Sequence, residues 1–218
     1  MRRLAFAIGI AQLAVSLCTG AELSSAEEYA LAIHATPDRE HGGQIFRNSC
    51  SPCHGASGEG YAGGAAAAFP VTAGQHFRVL VMALVRFRHG QTSTHGMQYF
   101  SDAHRLTGAQ DVADVAAYIA ALQPASPVGM GNGLSLKKGA RVYLRYCASC
   151  HGPTGVGDAA RPVPRLAGQH YRYLLRQFNA PTADDPLHAK RIQQLSALDR
   201  DAVADYLSRL LPLAPNGG

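Results

Sequence analysis

Apolar positions recur at helical spacing in six stretches of the chain, three in each half. No run alternates between apolar and polar residues in the way that a half-buried strand does. The sequence therefore predicts an all-α protein whose two halves share one helical outline. The predicted helices are 42–48, 75–88, 110–122, 135–146, 169–178 and 199–211.

The two halves also share short sequences at matching places. Residues 73–77, Ala-Gly-Gln-His-Phe, match residues 167–171, Ala-Gly-Gln-His-Tyr. Such a repeat indicates two copies of one structural unit rather than a single large domain. Between the copies, residues 124–134 are rich in proline and glycine and lack an apolar period, which is typical of a linker. We predict one domain over 22–123 and a second over 135–218.

The start of the chain has the pattern of an export signal. Residues 1–3, Met-Arg-Arg, precede an apolar run over 4–17 and then small residues. This order is typical of a secretory signal peptide, and the run is too short to span a bilayer comfortably. We predict a signal peptide over 1–21, cleaved after Ala21, and therefore a periplasmic protein. An uncleaved membrane anchor is the alternative.

Removal of the signal peptide also removes Cys18 and leaves four cysteines, all in two Cys-x-x-Cys-His motifs. In this motif the two thiols can bond both vinyl groups of one porphyrin, and the histidine can ligate its iron. Zinc binding and thioredoxin-like redox chemistry are the other uses of Cys-x-x-Cys, but the histidine and the duplication favour haem. The predicted haem-binding residues are Cys50, Cys53, His54, Cys147, Cys150 and His151.

The sequence therefore predicts two covalently bound haem c groups, one in each unit. A unit of three helices buries little apolar surface by itself. A haem at its centre would supply the missing apolar core, so the predicted fold and the predicted cofactor support each other.

The sixth iron ligand must come from a residue beyond each motif. In the first unit Met97 lies on the loop between the second and third predicted helices. Met82 lies within an apolar helix, where a core role is the simpler interpretation. His95 and His104 are near enough to compete with Met97. We predict His54/Met97 ligation because His/Met pairs recur in c-type cytochromes.

No methionine follows the second motif, so the second unit needs a different ligand. Ten residues separate Phe87 from Met97, and ten also separate Phe178 from His188. His188 thus takes the place of the methionine. We therefore predict bis-His ligation of the second iron by His151 and His188. A five-coordinate iron and ligation by Lys190 are the alternatives.

Unequal ligands predict unequal reduction potentials. A thioether favours reduced iron and raises the potential, whereas a second imidazole lowers it. We therefore expect a higher potential at the first haem, with electrons entering at the second haem and resting on the first.

Several residues that recur in both copies are candidates to support the haems. The backbone carbonyls of Pro70 and Pro164 are placed to accept the second N–H of each motif histidine. Other recurring residues could donate hydrogen bonds to haem propionates, although the N-terminus and exposed face of a helix would also explain them. They are Gln75, Gln169, His76, His170, Arg78 and Arg172.

The overall formal charge of +5 is divided unevenly between the halves. Residues 22–123 contain 6 Lys and Arg against 9 Asp and Glu, and residues 124–218 contain 12 against 6. Such a dipole can orient the protein as it approaches a charged redox partner. Neutralisation of propionates by arginines is the alternative explanation of the basic half.

Together these features resemble the dihaem cytochrome c4 family. The resemblance covers about 42–211 and depends on both motifs, on Leu166-Ala-Gly-Gln169 with its counterpart Thr72-Ala-Gly-Gln75, and on the final helices. It implies two packed cytochrome c folds in the periplasm that carry electrons between membrane complexes and terminal oxidases or reductases. The family has methionine as the sixth ligand in both units, and His188 departs from that pattern.

The leading functional hypothesis is a soluble carrier of single electrons without substrate chemistry of its own. Its expected partners are redox proteins, such as a membrane respiratory complex with peripheral membrane contact, or a dehydrogenase subunit, and not DNA or another nucleic acid. A second hypothesis is the cytochrome subunit of a larger oxidoreductase, such as a sulfur-compound or alcohol dehydrogenase. A third is a haem peroxidase, if the second iron is five-coordinate.

Overall fold

The computed structural model describes residues 23–63, 69–92, 97, 106–123, 129–180 and 186–211. The predicted signal peptide and residues 124–128 of the predicted linker lie outside the described residues. The first unit contains the helices α1 (Ser25–His34), α2 (Arg39–Ile45), α3 (Ser51–His54), α4 (Phe77–Arg88) and α5 (Ala109–Ala121), with a π-helical turn over Phe46–Cys50 between α2 and α3. The second unit contains α6 (Leu136–Tyr146), α7 (Ala148–His151), α8 (Tyr171–Asn179), α9 (Pro186–Gln193) and α10 (Ala197–Ser208).

The prediction of an all-α fold is confirmed within the described ranges. Only two isolated antiparallel bridges occur there, Tyr61 with Phe69 and Asp158 with Val163, at matching places in the two units. All six predicted helices are present, although α4 and α8 begin two residues later than expected. Helices α1 and α9 were not predicted. None of the described helices is long and apolar enough to cross a membrane.

In both units the helix before the motif crosses the last helix at a glycine. A Cβ atom on Gly42 of α2 would lie 2.0 Å from the carbonyl oxygen of Asp114 on α5. A Cβ atom on Gly139 of α6 would lie 2.1 Å from the carbonyl oxygen of Ala202 on α10. The backbones therefore approach closely enough that only glycine fits, and this crossing positions each motif at the C-terminal end of α2 or α6.

The first unit has its core between α1, α2, α4 and α5, and the second has its core between α6, α8, α9 and α10. Each cluster contains buried aliphatic side chains from the helices on either side of the motif. The buried core of the first unit includes Phe46, Val81, Val85, Val112, Val115 and Ile119. That of the second includes Tyr143, Leu174, Phe178, Ile192, Val203 and Leu207.

Helix α1 is joined to the first unit by a buried carboxylate. Ser24 and Glu27 form a capping box at the start of the helix. Glu28 is only 2 % exposed and accepts hydrogen bonds at 2.7 Å from Arg88 Nε and at 2.7 Å from His89 Nε2. The end of α4 therefore holds α1 in place through paired charges.

The two units meet through hydrogen bonds that repeat with exchanged partners. Gln75 donates from Nε2 to the Arg165 carbonyl at 3.1 Å, and Gln169 donates from Nε2 to the Val71 carbonyl at 2.9 Å. Each glutamine also accepts from the backbone N–H of the same partner residue, at 2.9 Å from Arg165 and 2.8 Å from Val71. The interface is therefore close to two-fold symmetric in its contacts.

Two histidines extend this interface in the same reciprocal way. His76 Nε2 lies 2.7 Å from the Val156 carbonyl, and His170 Nε2 lies 3.0 Å from the Glu59 carbonyl. The expected position at a helix N-terminus is present, since His76 and His170 are the N-caps of α4 and α8, but the contacts with the opposite unit were not predicted. Each Gln-His pair contacts the opposite unit, because the two copies pack against each other at these residues.

Candidate haem sites

The first motif lies on a short helix whose geometry exposes one histidine nitrogen to a ligand. Cys50 ends the π-helical turn, and α3 carries the remaining motif residues. His54 is buried, and its Nδ1 lies 3.2 Å from the Pro70 carbonyl oxygen. Because a carbonyl can only accept, Nδ1 carries the proton and Nε2 presents its lone pair. Nε2 is thus the nitrogen that can ligate iron.

The second motif repeats this arrangement. His151 on α7 is buried, and its Nδ1 donates to the Pro164 carbonyl at 3.0 Å. The Gly157 N–H donates to the His151 carbonyl at 3.0 Å and closes the loop after the motif. The predicted role of the Pro70 and Pro164 carbonyls is confirmed, since both accept from a motif histidine.

Burial keeps both motif histidines neutral. It lowers the pKa of His54 and of His151, and the hydrogen bonds to the proline carbonyls oppose this only in part. The neighbouring His188 lowers the pKa of His151 further. Neutral imidazole is the form that binds a metal.

The two cysteines of each motif differ in exposure, and Cys50 and Cys147 are the half-buried members. Burial, aided by the neighbouring Cys53, raises the pKa of the Cys50 thiol to about 12. Burial, aided by the neighbouring Cys150, raises the pKa of the Cys147 thiol to about 11. The exposed thiols are Cys53 and Cys150. Redox-active Cys-x-x-Cys pairs depress a thiol pKa, so these pairs do not resemble a thioredoxin-type site.

The structure brings His188 to the second motif. His188 lies on α9, and its ring centroid is 6.1 Å from that of His151, with 53° between the ring planes. Imidazole nitrogens lie about 2 Å from a metal that they bind, which places two rings on opposite sides of one metal atom about 6 Å apart. The observed separation therefore matches two imidazoles that share one metal. Lys190, the other candidate, is exposed on the same helix.

The predicted ligand of the first unit is only partly described. Met97 is half-buried, and the segments on either side of it, 93–96 and 98–105, lie outside the described residues. The competing His95 and His104 lie in those segments. Met82 is half-buried on α4, which is less burial than the core position that its apolar pattern predicted.

These donors fit covalently attached haem. Each unit presents two cysteines on one turn of chain and a buried neutral histidine whose Nδ1 is already bonded to a carbonyl. The helices that surround each motif are short and leave the unit dependent on an apolar centre.

The comparison with protein families agrees with this arrangement. A family model described as cytochrome c matches residues 40–123 and again residues 136–210. Cytochrome c4 of Pseudomonas aeruginosa is 31% identical over 194 residues, which cover 81% of this chain and 90% of the relative. The chain belongs to the cytochrome c4 family. It therefore carries two covalent haem c groups, attached at residues 50 and 53 and at residues 147 and 150.

Other relatives of this cytochrome c4 family member differ in their described roles. A protein from Thiomonas intermedia described as a thiosulfate dehydrogenase electron acceptor is 33% identical over 182 residues, 77% of this chain and 80% of the relative. The crystal structure of reduced recombinant cytochrome c4 from Pseudomonas stutzeri is 26% identical, has a TM-score of 0.66, and covers 81% of this chain and all of that chain. The chain is thus a dihaem electron carrier that acts with redox partners, and not an enzyme by itself.

Two features of the site were not predicted from the sequence. Helix α9, which carries His188, has few apolar residues, so its helical period is weak, and Pro186 at its start was the available signal. The reciprocal Gln-His interface joins residues 80 to 111 positions apart, and its signal in the sequence is the recurrence of both residues in each copy.

Proposed function

We propose that the protein is a periplasmic dihaem carrier of single electrons with two unlike haems. His54 and Met97 ligate the first iron, and His151 and His188 ligate the second. The observation that carries this proposal is the 6.1 Å separation of the His151 and His188 ring centroids. The half-buried position of Met97 and the ten-residue spacing that it shares with His188 support the first pair.

The chain contributes position and tautomer to each site. The Pro70 and Pro164 carbonyls hold Nδ1 of each motif histidine and leave Nε2 for iron. Bound haem supplies a one-electron couple at its iron. The cysteines keep each haem attached. The crossing of α2 with α5, and of α6 with α10, fixes the position of each motif within its unit.

The direction of electron flow follows from the ligands. Methionine sulfur stabilises reduced iron and a second imidazole stabilises oxidised iron, so the first haem has the higher potential. Electrons enter at the second unit and rest on the first. A difference of about 59 mV corresponds to a tenfold preference for one haem over the other.

A stepwise redox titration followed by EPR tests this assignment on the intact dihaem protein. We expect two separated potentials, with the bis-His low-spin signal lost only after the His/Met haem has been reduced. Two equal potentials, or a high-spin signal from the second haem, would contradict the proposal. A high-spin signal would instead favour the peroxidase hypothesis, because it indicates an open coordination position.

The entry of electrons at the second unit has support from charge. Helix α6 leads directly into the second motif, and it exposes Lys137, Arg141 and Arg145 along its length. These residues recur at a spacing of four, so they share one helix face and present positive charge to an acidic donor. Charge reversal at Arg141 should slow reduction by a donor at low salt and leave both reduction potentials close to those of the wild type.

The location and the domain bounds belong to the same proposal. The pattern over 1–21 supports export and cleavage after Ala21. The domains extend over 22–123 and 135–218 with a linker over 124–134. Sequencing of the N-terminus of the protein recovered from the periplasmic fraction tests both the cleavage site and the location.

A second candidate function is the electron-accepting subunit of a larger oxidoreductase. The similarity to the thiosulfate dehydrogenase electron acceptor of Thiomonas intermedia favours a sulfur-compound dehydrogenase as the partner. Affinity purification of the tagged protein from its native host would test this hypothesis. A dehydrogenase that copurifies in stoichiometric amount and reduces the second haem would support it.

A further inference from the structure

One peptide group links the ligand of the first haem to a side chain of the second unit. The carbonyl oxygen of Pro70 accepts from His54 Nδ1 at 3.2 Å. The N–H of the same peptide group, which belongs to Val71, donates to Gln169 Oε1 at 2.8 Å. The chain of hydrogen bonds therefore runs from the His54 imidazole through one amide to Gln169.

The mirror image of this chain starts at the second haem ligand. The Pro164 carbonyl accepts from His151 Nδ1 at 3.0 Å. The Arg165 N–H of the same peptide group donates to Gln75 Oε1 at 2.9 Å. Each motif histidine is therefore bonded, through one peptide group, to the glutamine of the opposite unit.

A second chain reaches the backbone of the same histidines. His170 Nε2 donates to the Glu59 carbonyl at 3.0 Å, and the N–H of that peptide group, from Gly60, donates to the His54 carbonyl at 2.8 Å. Gln169 and His170 are neighbours in sequence. One dipeptide of the second unit is therefore linked to His54 through two separate chains of hydrogen bonds. In the mirror arrangement, His76 donates to the Val156 carbonyl at 2.7 Å, and Gly157 N–H donates to the His151 carbonyl at 3.0 Å.

The surroundings of the bonds from Gln169 and His170 make them strong. Gln169 is 7 % exposed and His170 is fully buried, whereas Gln75 and His76 are half-buried. The cavity that remains beside the two glutamines measures only about 10 Å³, room for about one water molecule. In such a place hydrogen bonds are screened little by water and polarise one another along a chain.

We propose that each glutamine is a positioning residue for the haem of the opposite unit: Gln169 lowers the reduction potential of the haem on His54, and Gln75 that of the haem on His151. An acceptor on the Val71 N–H makes the Pro70 carbonyl a stronger acceptor for His54 Nδ1–H. The imidazole then becomes more basic and stabilises oxidised iron. The inference rests on the proposed function only in taking His54 and His151 as iron ligands, and it is independent of either sixth ligand.

The reciprocal pair Gln169→Leu and Gln75→Leu tests the proposal in the dihaem protein. Leucine fills a similar volume and cannot accept from the peptide N–H. We expect Gln169→Leu to shift the electron distribution toward the first haem about threefold, which is about 28 mV at about 59 mV per tenfold. Gln75→Leu should shift it toward the second haem. Paramagnetic NMR of the haem methyl groups, assigned to each unit by their contacts with the protein, gives the potential of each haem separately.

Gln169→Glu is the matched variant if leucine impairs folding. Its carboxylate is a stronger acceptor for the Val71 N–H than the glutamine oxygen. The reduction potential of the first haem should therefore fall, and it should fall by more than the potential of the second haem. Equal shifts of both haems in each variant would show a loosened interface and overturn the proposal. No shift, or a shift confined to the unit that carries the substitution, would also overturn it. An error in the sixth ligands would instead show in the wild-type spectrum.

Discussion

The rings of His151 and His188 lie with their centroids 6.1 Å apart and their planes tilted by 53°, although the two residues come from separate helices. His151 is buried in the unit and His188 is exposed at its edge. Burial and the nearby His188 together lower the pKa of His151, which favours its neutral, metal-binding form. The separation of the two rings is the basis on which we propose that both ligate the second iron.

Replacement of His188 should change the second haem selectively. His188→Met would convert the second haem to His/Met ligation and raise its potential on the order of 100 mV, because thioether ligands favour reduced iron. His188→Ala would leave a coordination position open and produce a high-spin EPR signal from one haem. Redox titration and EPR measure both effects, and Lys190→Ala is the control that should change neither. An unchanged spectrum in His188→Ala would contradict the assigned ligand.

Replacement of Met97 should affect the first haem in the opposite way. Met97→Leu removes the sulfur and keeps an apolar side chain of similar size, so the first haem should lose its low-spin state and its high potential should fall. The control is Met82→Leu on α4, which alters a methionine that lies in the apolar pattern of a helix. Full retention of the high potential in Met97→Leu would show that another residue, such as His95 or His104, is the ligand.

The motifs could be predicted from the sequence because their chemistry depends on residues that are adjacent in the chain. The first motif, from Cys50 to His54, spans one turn. Its spacing alone therefore indicates both the haem-attachment cysteines and the histidine that ligates the iron. His188 could be placed by comparison of the two copies, since ten residues after a matching phenylalanine is also a local measure. The short Pro186–Gln193 helix has too few apolar residues for a clear period, and for that reason its helical state was not predicted.

The features that could not be predicted depend on contacts between residues that are distant in the sequence. The bond from Val71 N–H to Gln169 joins residues 98 positions apart, and nothing near either residue specifies the other. Gln169 recurs as Gln75 in the first copy, but this recurrence fits a haem contact and an interface equally well. Helix α1 is a different case, because Ser24 and Glu27 form a capping box that is readable as a helix start.

Loss of the buried carboxylate on α1 should destabilise the first unit. Glu28 is paired with Arg88 and His89, whose side chains are 16% and 26% exposed. Glu28→Ala leaves the Arg88 charge without this partner and should lower the free energy of unfolding by about 3 kcal/mol. Urea denaturation measures this, and Glu40→Ala, at the exposed start of α2, is the control with a much smaller expected loss. Equal losses of unfolding free energy in both variants would show that the pairing of Glu28 with Arg88 and His89 adds little to stability.

The stability of the first unit should depend on pH through His41. A hydrogen bond to Asp114 raises the pKa of His41, and the charges of Asp111, Asp114 and Asp38 add to the rise, while burial opposes it. A group whose pKa is raised by folding stabilises the fold fully below its unfolded value of about 6.5. The contribution is lost as the pH rises through the pKa of the folded state.

His41→Asn should remove this dependence. The difference between wild type and variant in the urea midpoint should be largest near pH 6 and should vanish at about pH 9. Taking the difference cancels the titration of the other histidines, which both proteins share. A difference that grows as the pH rises would contradict the sign of the shift.

The glycine at the crossing of α6 and α10 should be required for the second haem site. A Cβ atom on Gly139 would lie 2.1 Å from the Ala202 carbonyl oxygen and 2.7 Å from Tyr206 Cβ. Both neighbours belong to a packed helix and cannot move aside independently, so Gly139→Ala must separate α6 from α10. Overpacking of this kind destabilises by about 3 kcal/mol at the upper end of its usual range, and the contact with the Ala202 backbone places this case there.

The separation also reaches the haem, since α6 ends at Tyr146, directly before Cys147. We therefore expect Gly139→Ala to lower the haem content at the second site and leave the first site filled, as measured by the pyridine haemochrome and by mass spectrometry. Gly108→Ala is the control, because no atom lies within 4 Å of the position that its Cβ would take. A Gly139→Ala protein with two haems and an unchanged unfolding midpoint would show that the crossing can widen freely, and that the close approach of the helices does not position the motif.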